Sequence, residues 1–144
     1  MEKYKYVIVP LVTLMLCQVI KFIIESIKKK ELDFKRLFSG SGGMPSSHTS
    51  LVVSLTTMIA IHEGISSISF AISLVMSLIV AYDGMNVRLE TGKQAHTLNT
   101  LVDSIFDKQD FDTLKEEMGH KPKEVFFGIL LGIGIACIYS FIII

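Results

Sequence analysis

Two of the four histidines stand where phosphate chemistry would need them. His48 closes the stretch GGMPSSH, and His120 opens the stretch HKPKE. Glu124 follows His120 by four positions, which on a helix places both on one face a turn apart. A carboxylate there can accept the Nδ1 proton and leave Nε2 free, which is how an imidazole is oriented for nucleophilic or acid–base work. Pro45, Ser46 and Ser47 read as a helix start, where backbone N–H groups lack helical partners and the dipole favours an anion. Hydroxyls, unpaired amides, cations and two histidines together suit a phosphate. One imidazole attacks phosphorus and the other protonates the departing oxygen. Each stretch alone also has a plain reading: a capped helix start for one, a solvated histidine–glutamate pair for the other.

A third polar stretch, YDGMNVRLETGKQAHTLN, carries Asp83, Arg88, Gln94, His96 and Asn99. Asp83 and Arg88 fall at the exit of an apolar segment, where an ionisable residue is either functional or snorkels to headgroups. His96 competes with His120 as the nucleophile but ranks below it, because no carboxylate follows it at one-turn spacing. His62 reads as an interfacial cap at the other end of its segment.

The elements that must position these residues are apolar. The chain has 144 residues, half of them hydrophobic, with zero formal net charge and a mean hydropathy of +0.52. That balance, without an aromatic and basic face, excludes nucleic-acid binding. Cys17 and Cys137 lie inside apolar runs and read as buried hydrophobes without a disulfide. The pattern predicts an all-α integral membrane protein, one domain over residues 1–144, with helices at about 5–27, 46–62, 66–87 and 122–144. The segment from Ser47 is the shortest and by itself fits a buried core helix. A short amphipathic helix is expected in the last polar loop, capped by Asp112, with Leu114 and Met118 on one face and Gly119 at its end. The first apolar run lacks a small-residue cleavage site after it and is expected to be a retained span. If all four segments cross, loops 28–45 and 88–121 share one side and hold nearly all Lys and Arg, against Lys3 and Lys5 on the other. The positive-inside tendency then turns the large loops, and the polar stretches with them, to the cytoplasm.

PSSH resembles the PSGH motif of the type 2 phosphatidic acid phosphatases, a superfamily shared with vanadium haloperoxidases. His120-x-x-x-Glu124 before VFFGILLG resembles its His-x-x-x-Asp motif and the small-residue helix that follows. The closer resemblance is to the divergent, short membrane branch of that superfamily. GGMPSSH, then Asp…Val-Arg…Gly-x-Gln-Ala…Leu-Asn, then Gly-His-x-Pro-x-Glu-Val occur in order across residues 42–125. The resemblance implies His120 as the nucleophile of a phosphohistidine, Glu124 as its orienting group and His48 as general acid. Arg88, Arg36, Ser46 and Ser47 would hold phosphate oxygens, with Lys21 or Lys29 in the lysine role of the family. Asp83, Gly43, Gln94 and Asn99 would support the site. Three departures stand out: Glu replaces the orienting Asp, Arg88 precedes His120 by 32 positions, and Lys29 to Arg36 is followed by Leu37.

The function this implies is hydrolysis of a lipid phosphate monoester, such as phosphatidylglycerophosphate or phosphatidate, with no cofactor and no metal. The partners expected are membrane lipid and the lipid phosphate itself, with a homodimer left open. Two other classes compete. A catalytically inactive membrane scaffold or lipid-binding protein could retain the motifs, and the altered spacing is consistent with it. A zinc triad of His48, His120 and Glu124 would not need so many cations nearby.

Overall fold

The computed structural model describes residues 4–29, 43–105, 112–116 and 118–143, without the side chains of 28, 29 and 143. Five α-helices make up the described chain: α1 Lys5–Lys29, α2 Ser47–His62, α3 Ile68–Met85, α4 Val87–Ile105 and α5 Pro122–Ile138. A five-residue π-helical turn, Tyr139–Ile143, ends the last of them. The protein is thus all-α among the described residues.

α2 is the centre of the bundle, packed against α5, α1 and α3. Its interior is small and polar: Ser47, Thr49, Ser50, Ser54 and Thr56 are buried together with Met58 and Ile59. Those hydroxyls cost little, because they bond to carbonyls within the helix or to a neighbour. Ser50 Oγ donates to Ser47 O at 3.0 Å, Ser54 Oγ to Leu51 O at 2.8 Å, and Thr56 Oγ1 meets Ser77 Oγ of α3 at 2.9 Å. Small residues let backbones approach, which is how helices associate without a hydrophobic drive between them. On α5, Gly128, Gly132 and Ala136 form the matching face. A Cβ on Gly128 would stand 2.6 Å from Ser46 O, and one on Gly132 2.7 Å from Ser50 O. At the other end of the bundle Val9, Met58 and Ala136 form an apolar core with Tyr6, Ile135 and Tyr139 against it.

Large apolar side chains face outward instead. Val7, Met15, Ile68, Ile72, Val75, Leu78 and Ile79 are all exposed. Such a surface suits lipid and would be an aggregation liability in water. Three helical stretches, Lys5–Ile27, Ile68–Ile105 and Pro122–Ile142, are long and apolar enough to cross a membrane. α2, with 16 residues, measures roughly 24 Å against a hydrocarbon core of about 30 Å. Its burial among the other helices matches the core-helix reading of the sequence, and by length it falls short of the four full spans expected.

The polar loop needs a correction. Its helix is α4, not a segment capped by Asp112; residues 112–116 run without helix. The reason is a side chain. Asn99 Nδ2 donates to Leu114 O and Asn99 Oδ1 accepts from Leu114 N, both at 2.9 Å, so Leu114 satisfies its backbone on α4 rather than in a turn of its own. Gly92 gives the segment room, since a Cβ there would collide with Glu116 O. α3 also ends two residues early, at Met85, where Asn86 N and Nδ2 both donate to Tyr82 O before the helix resumes at Val87.

Candidate functional site

Three helix ends are stitched together at one end of the bundle. Ser46, the N-cap of α2, donates its N–H to Glu124 O in the first turn of α5 at 2.9 Å. His120, just before α5, donates its N–H to Gly84 O in the last turn of α3 at 2.9 Å. Gly119 makes this approach feasible: its φ is +83°, and a side chain there would strike the backbone of Arg88 and Leu89. The 32 positions between Arg88 and His120 are therefore an excursion through α4 that returns to its own start. Chain separation here is not spatial separation.

The side chains follow from those ends. His120 Nδ1 lies 3.2 Å from Glu124 Oε2. A carboxylate only accepts, so Nδ1 carries the proton and Nε2 is left with its lone pair. The same Glu124 oxygen accepts Lys121 N–H at 3.1 Å, which fixes the carboxylate as it fixes the ring. His120 is 5% exposed, so its orientation is enforced by packing as well. Burial pushes the imidazole below its usual value, the hydrogen bond to Glu124 pulls it upward, and the Lys21 and Arg88 charges push it down again. The net result is a neutral ring at pH 7.

Opposite it, Ser46 and Ser47 are buried. Ser46 Oγ caps α2, accepting from Thr49 N at 3.5 Å and meeting Thr49 Oγ1 at 2.9 Å. Lys21, 7% exposed, reaches over from α1 to donate to Ser47 Oγ at 3.4 Å. Cys17 Sγ, one turn earlier on α1, donates to Pro45 O at 3.3 Å and so ties α1 to the start of α2. The bond before Pro45 is cis. His48 is exposed and lies within electrostatic reach of Arg88, His120, Lys21 and Asp83. Arg88 places Nε on Asp83 Oδ2 at 2.6 Å, with half of its side chain open to the surroundings.

The structure thus brings His48, His120, Glu124, Ser46, Ser47, Lys21, Arg88 and Asp83 to one end. Gly43 stands close by with φ +84°, where a Cβ would meet the Glu25 carboxylate. Asn99 serves the 112–116 segment, and Gln94 is exposed on α4. Arg36 and the Lys29 side chain lie outside the described residues.

One line of sequence reasoning fails. His96 does have a carboxylate: Glu116 Oε2 lies 2.8 Å from its Nδ1. That partner comes from 20 positions away, which no one-turn rule can find. Burial separates the two histidines instead, since the His96 side chain is 70% exposed and its surroundings are Glu116 and Asn99. Sequence reading also missed Gly84 O and Cys17, whose backbone and thiol contacts have no motif to announce them. Among the described residues, no group of three or more His, Cys, Asp or Glu side chains is placed to hold a metal ion.

A helical membrane protein with two histidines, two serines, a lysine and an arginine gathered at one end of the bundle is the class these observations define. The chain belongs to the Divergent PAP2 family, whose family model matches residues 3–135. It is 35% identical to the membrane protein YuiD of Bacillus subtilis (strain 168), itself uncharacterised, across 91% of this chain and 90% of that one. No solved structure matches.

Proposed function

We propose that this protein is a membrane phosphatase that hydrolyses a lipid phosphate monoester through a phosphohistidine on His120. One observation carries the reading: a buried imidazole, held through Nδ1 by Glu124 so that Nε2 keeps its lone pair, stands within electrostatic reach of Lys21, Arg88 and His48. Nε2 attacks phosphorus, the bond to the lipid oxygen breaks, and His48 gives that oxygen its proton. Water, deprotonated by His48, then attacks the phosphohistidine and releases inorganic phosphate. Charge on the equatorial oxygens is met by Lys21, Arg88, the hydroxyls of Ser46 and Ser47 and the N–H groups opening α2. Arg36 and Lys29 remain proposed contributors on the strength of the resemblance. With the large loops turned to the cytoplasm, the substrate is a lipid phosphate of the inner leaflet, of the phosphatidate or phosphatidylglycerophosphate type.

The family supports a phosphatase-like lineage. A second reading, a lipid-binding protein without turnover, is favoured by the Arg88–Asp83 pair, which already occupies one edge of the guanidinium. Phosphate release by the purified protein from both lipids, in EDTA, separates the two. The phosphatase should release phosphate, be inhibited by vanadate and yield an acid-labile phosphoenzyme that His120→Ala lacks. No release from either lipid leaves the non-catalytic reading, and activity lost to EDTA and restored by zinc would support a metal triad.

A further inference from the structure

A groove of about 290 Å³ runs along the seam between α2 and α3, and its walls are almost wholly apolar. On α2 it is lined by Val52, Leu55 and Ile59, which follow His48 at four, seven and eleven positions. That spacing puts His48 and all three on one stripe of the helix. On α3 it is lined by Ile72, Ser73 and Met76, and Asp83 lies seven positions beyond Met76, two turns on along nearly the same face. Ser73 Oγ donates to Phe70 O at 3.0 Å and so presents no unpaired hydroxyl to the groove. The Thr56–Ser77 hydrogen bond holds the two helices antiparallel in this register. Both walls therefore climb to the charged end, one to His48 and the other to the Asp83–Arg88 pair.

Depth agrees with an occupant. Eleven residues separate His48 from Ile59, roughly 16 Å of helix, which is about half of a 30 Å hydrocarbon core. The lining begins at Val52, one helical turn from His48, so the stripe that runs from the charged end down to Ile59 covers the depth of one leaflet. It fits a single molecule with a phosphate at one end and a hydrocarbon chain at the other. We propose that the α2–α3 groove holds an acyl chain of the lipid whose phosphate sits at His48 and His120; this rests on the phosphatase reading for the phosphate end. The groove would make the protein select for chain-bearing phosphates by apolar contact, while the polar end reads the phosphate.

The chain contains no tryptophan, so one introduced at the far end of the groove is a unique probe. Ser69→Trp, at an exposed lining position, serves, with Ile72→Trp as a second placement. The full-length protein in detergent is titrated with phosphatidate brominated on its acyl chain, and separately with phosphatidylcholine carrying the same chain. The groove predicts saturable quenching by the phosphatidate, relieved by unbrominated phosphatidate and at least about tenfold tighter than by phosphatidylcholine. Met76→Phe, which narrows the groove, should weaken it by about tenfold, the scale of one or two lost methylene contacts. Equal quenching by both lipids would mean bulk lipid fills the seam and would overturn the proposal. So would absent quenching with disulfide-linked dimers of Ser69→Cys, which would put a second copy there. Phosphate release is read on the same preparations. Selective quenching without release sinks the phosphatase reading and leaves the groove, whereas release without selective quenching sinks the groove alone.

Discussion

His48 and His120 differ in exposure, and that difference suits the separate roles proposed for them. The buried ring, held by Glu124, has a fixed lone pair; the exposed ring can meet both a leaving oxygen and water. A lipid alkoxide needs a proton to depart, while a nitrophenolate scarcely does. His48→Ala should therefore lose more rate on a lipid phosphate than on an aryl phosphate, by roughly 10²–10⁴-fold. Equal losses on both substrates would remove His48 from the acid role. The pH profile tests His120. In the proposed mechanism His48 must carry its proton while His120 is neutral, and burial holds the His120 pKa below the usual histidine value. The kcat/KM profile should therefore be bell-shaped, falling on the alkaline side as His48 deprotonates and on the acid side as His120 takes up a proton. Glu124→Gln removes the group that pulls this pKa upward. The acid limb of the variant should then move to still lower pH, with a lower maximum; a limb moved to higher pH would contradict the pairing. The His96–Glu116 pair, exposed and on α4, should be dispensable for turnover, and a His96→Ala protein that lost its phosphoenzyme would reverse the assignment.

At the scale of elements, the site depends on how closely α2 and α5 approach. Gly128 lies on Ser46, the residue that caps α2 and reaches Glu124. Gly128→Val should force the helices apart at a cost of about 1–3 kcal/mol, read as a lower midpoint on unfolding in SDS–detergent mixtures. Gly134 meets nothing within 4 Å, so Gly134→Ala should be neutral or slightly stabilising. Similar destabilisation by both would show that helix propensity, not interhelical contact, decides. The 112–116 segment is a separate case, held to α4 chiefly through Asn99. Asn99→Ala should leave the unfolding midpoint of the bundle unchanged and speed proteolytic cleavage in that segment. Unchanged cleavage would mean that the segment has other anchors.

For the whole molecule, apolar side chains outside and small polar ones inside are the arrangement of a protein whose solvent is lipid. The site then lies at one membrane face. The proposed orientation, with that face turned to the cytoplasm, rests on the Lys and Arg excess in the large loops. Single cysteines at Ser104 and Glu63, in a chain lacking Cys17 and Cys137, decide it, since both positions are exposed, Glu63 in the turn between α2 and α3 and Ser104 near the end of α4 in the large polar loop. An impermeant thiol reagent applied to intact cells should label Glu63→Cys and spare Ser104→Cys. The reverse pattern would move the site to the outer face and with it the leaflet that supplies the substrate.

What the sequence alone determined is what depends on neighbours within a turn or on bulk transfer to lipid. Apolar run length marked the spans, and His120 with Glu124 was legible because i and i+4 meet on any helix. Pro45 and Ser46 were legible as a cap because a cap is a local bond. Tertiary structure decided whatever joins distant segments. It set Lys21 against Ser47, Glu116 against His96, and Gly84 O against His120, at separations of 26, 20 and 36 positions. It also overrode local signals at 112–116, where Asn99 offered the backbone bonds that a helix would have supplied. Local rules cannot see such partners, because a hydrogen bond is satisfied by whichever group arrives first in space, and only the packed fold decides which group that is.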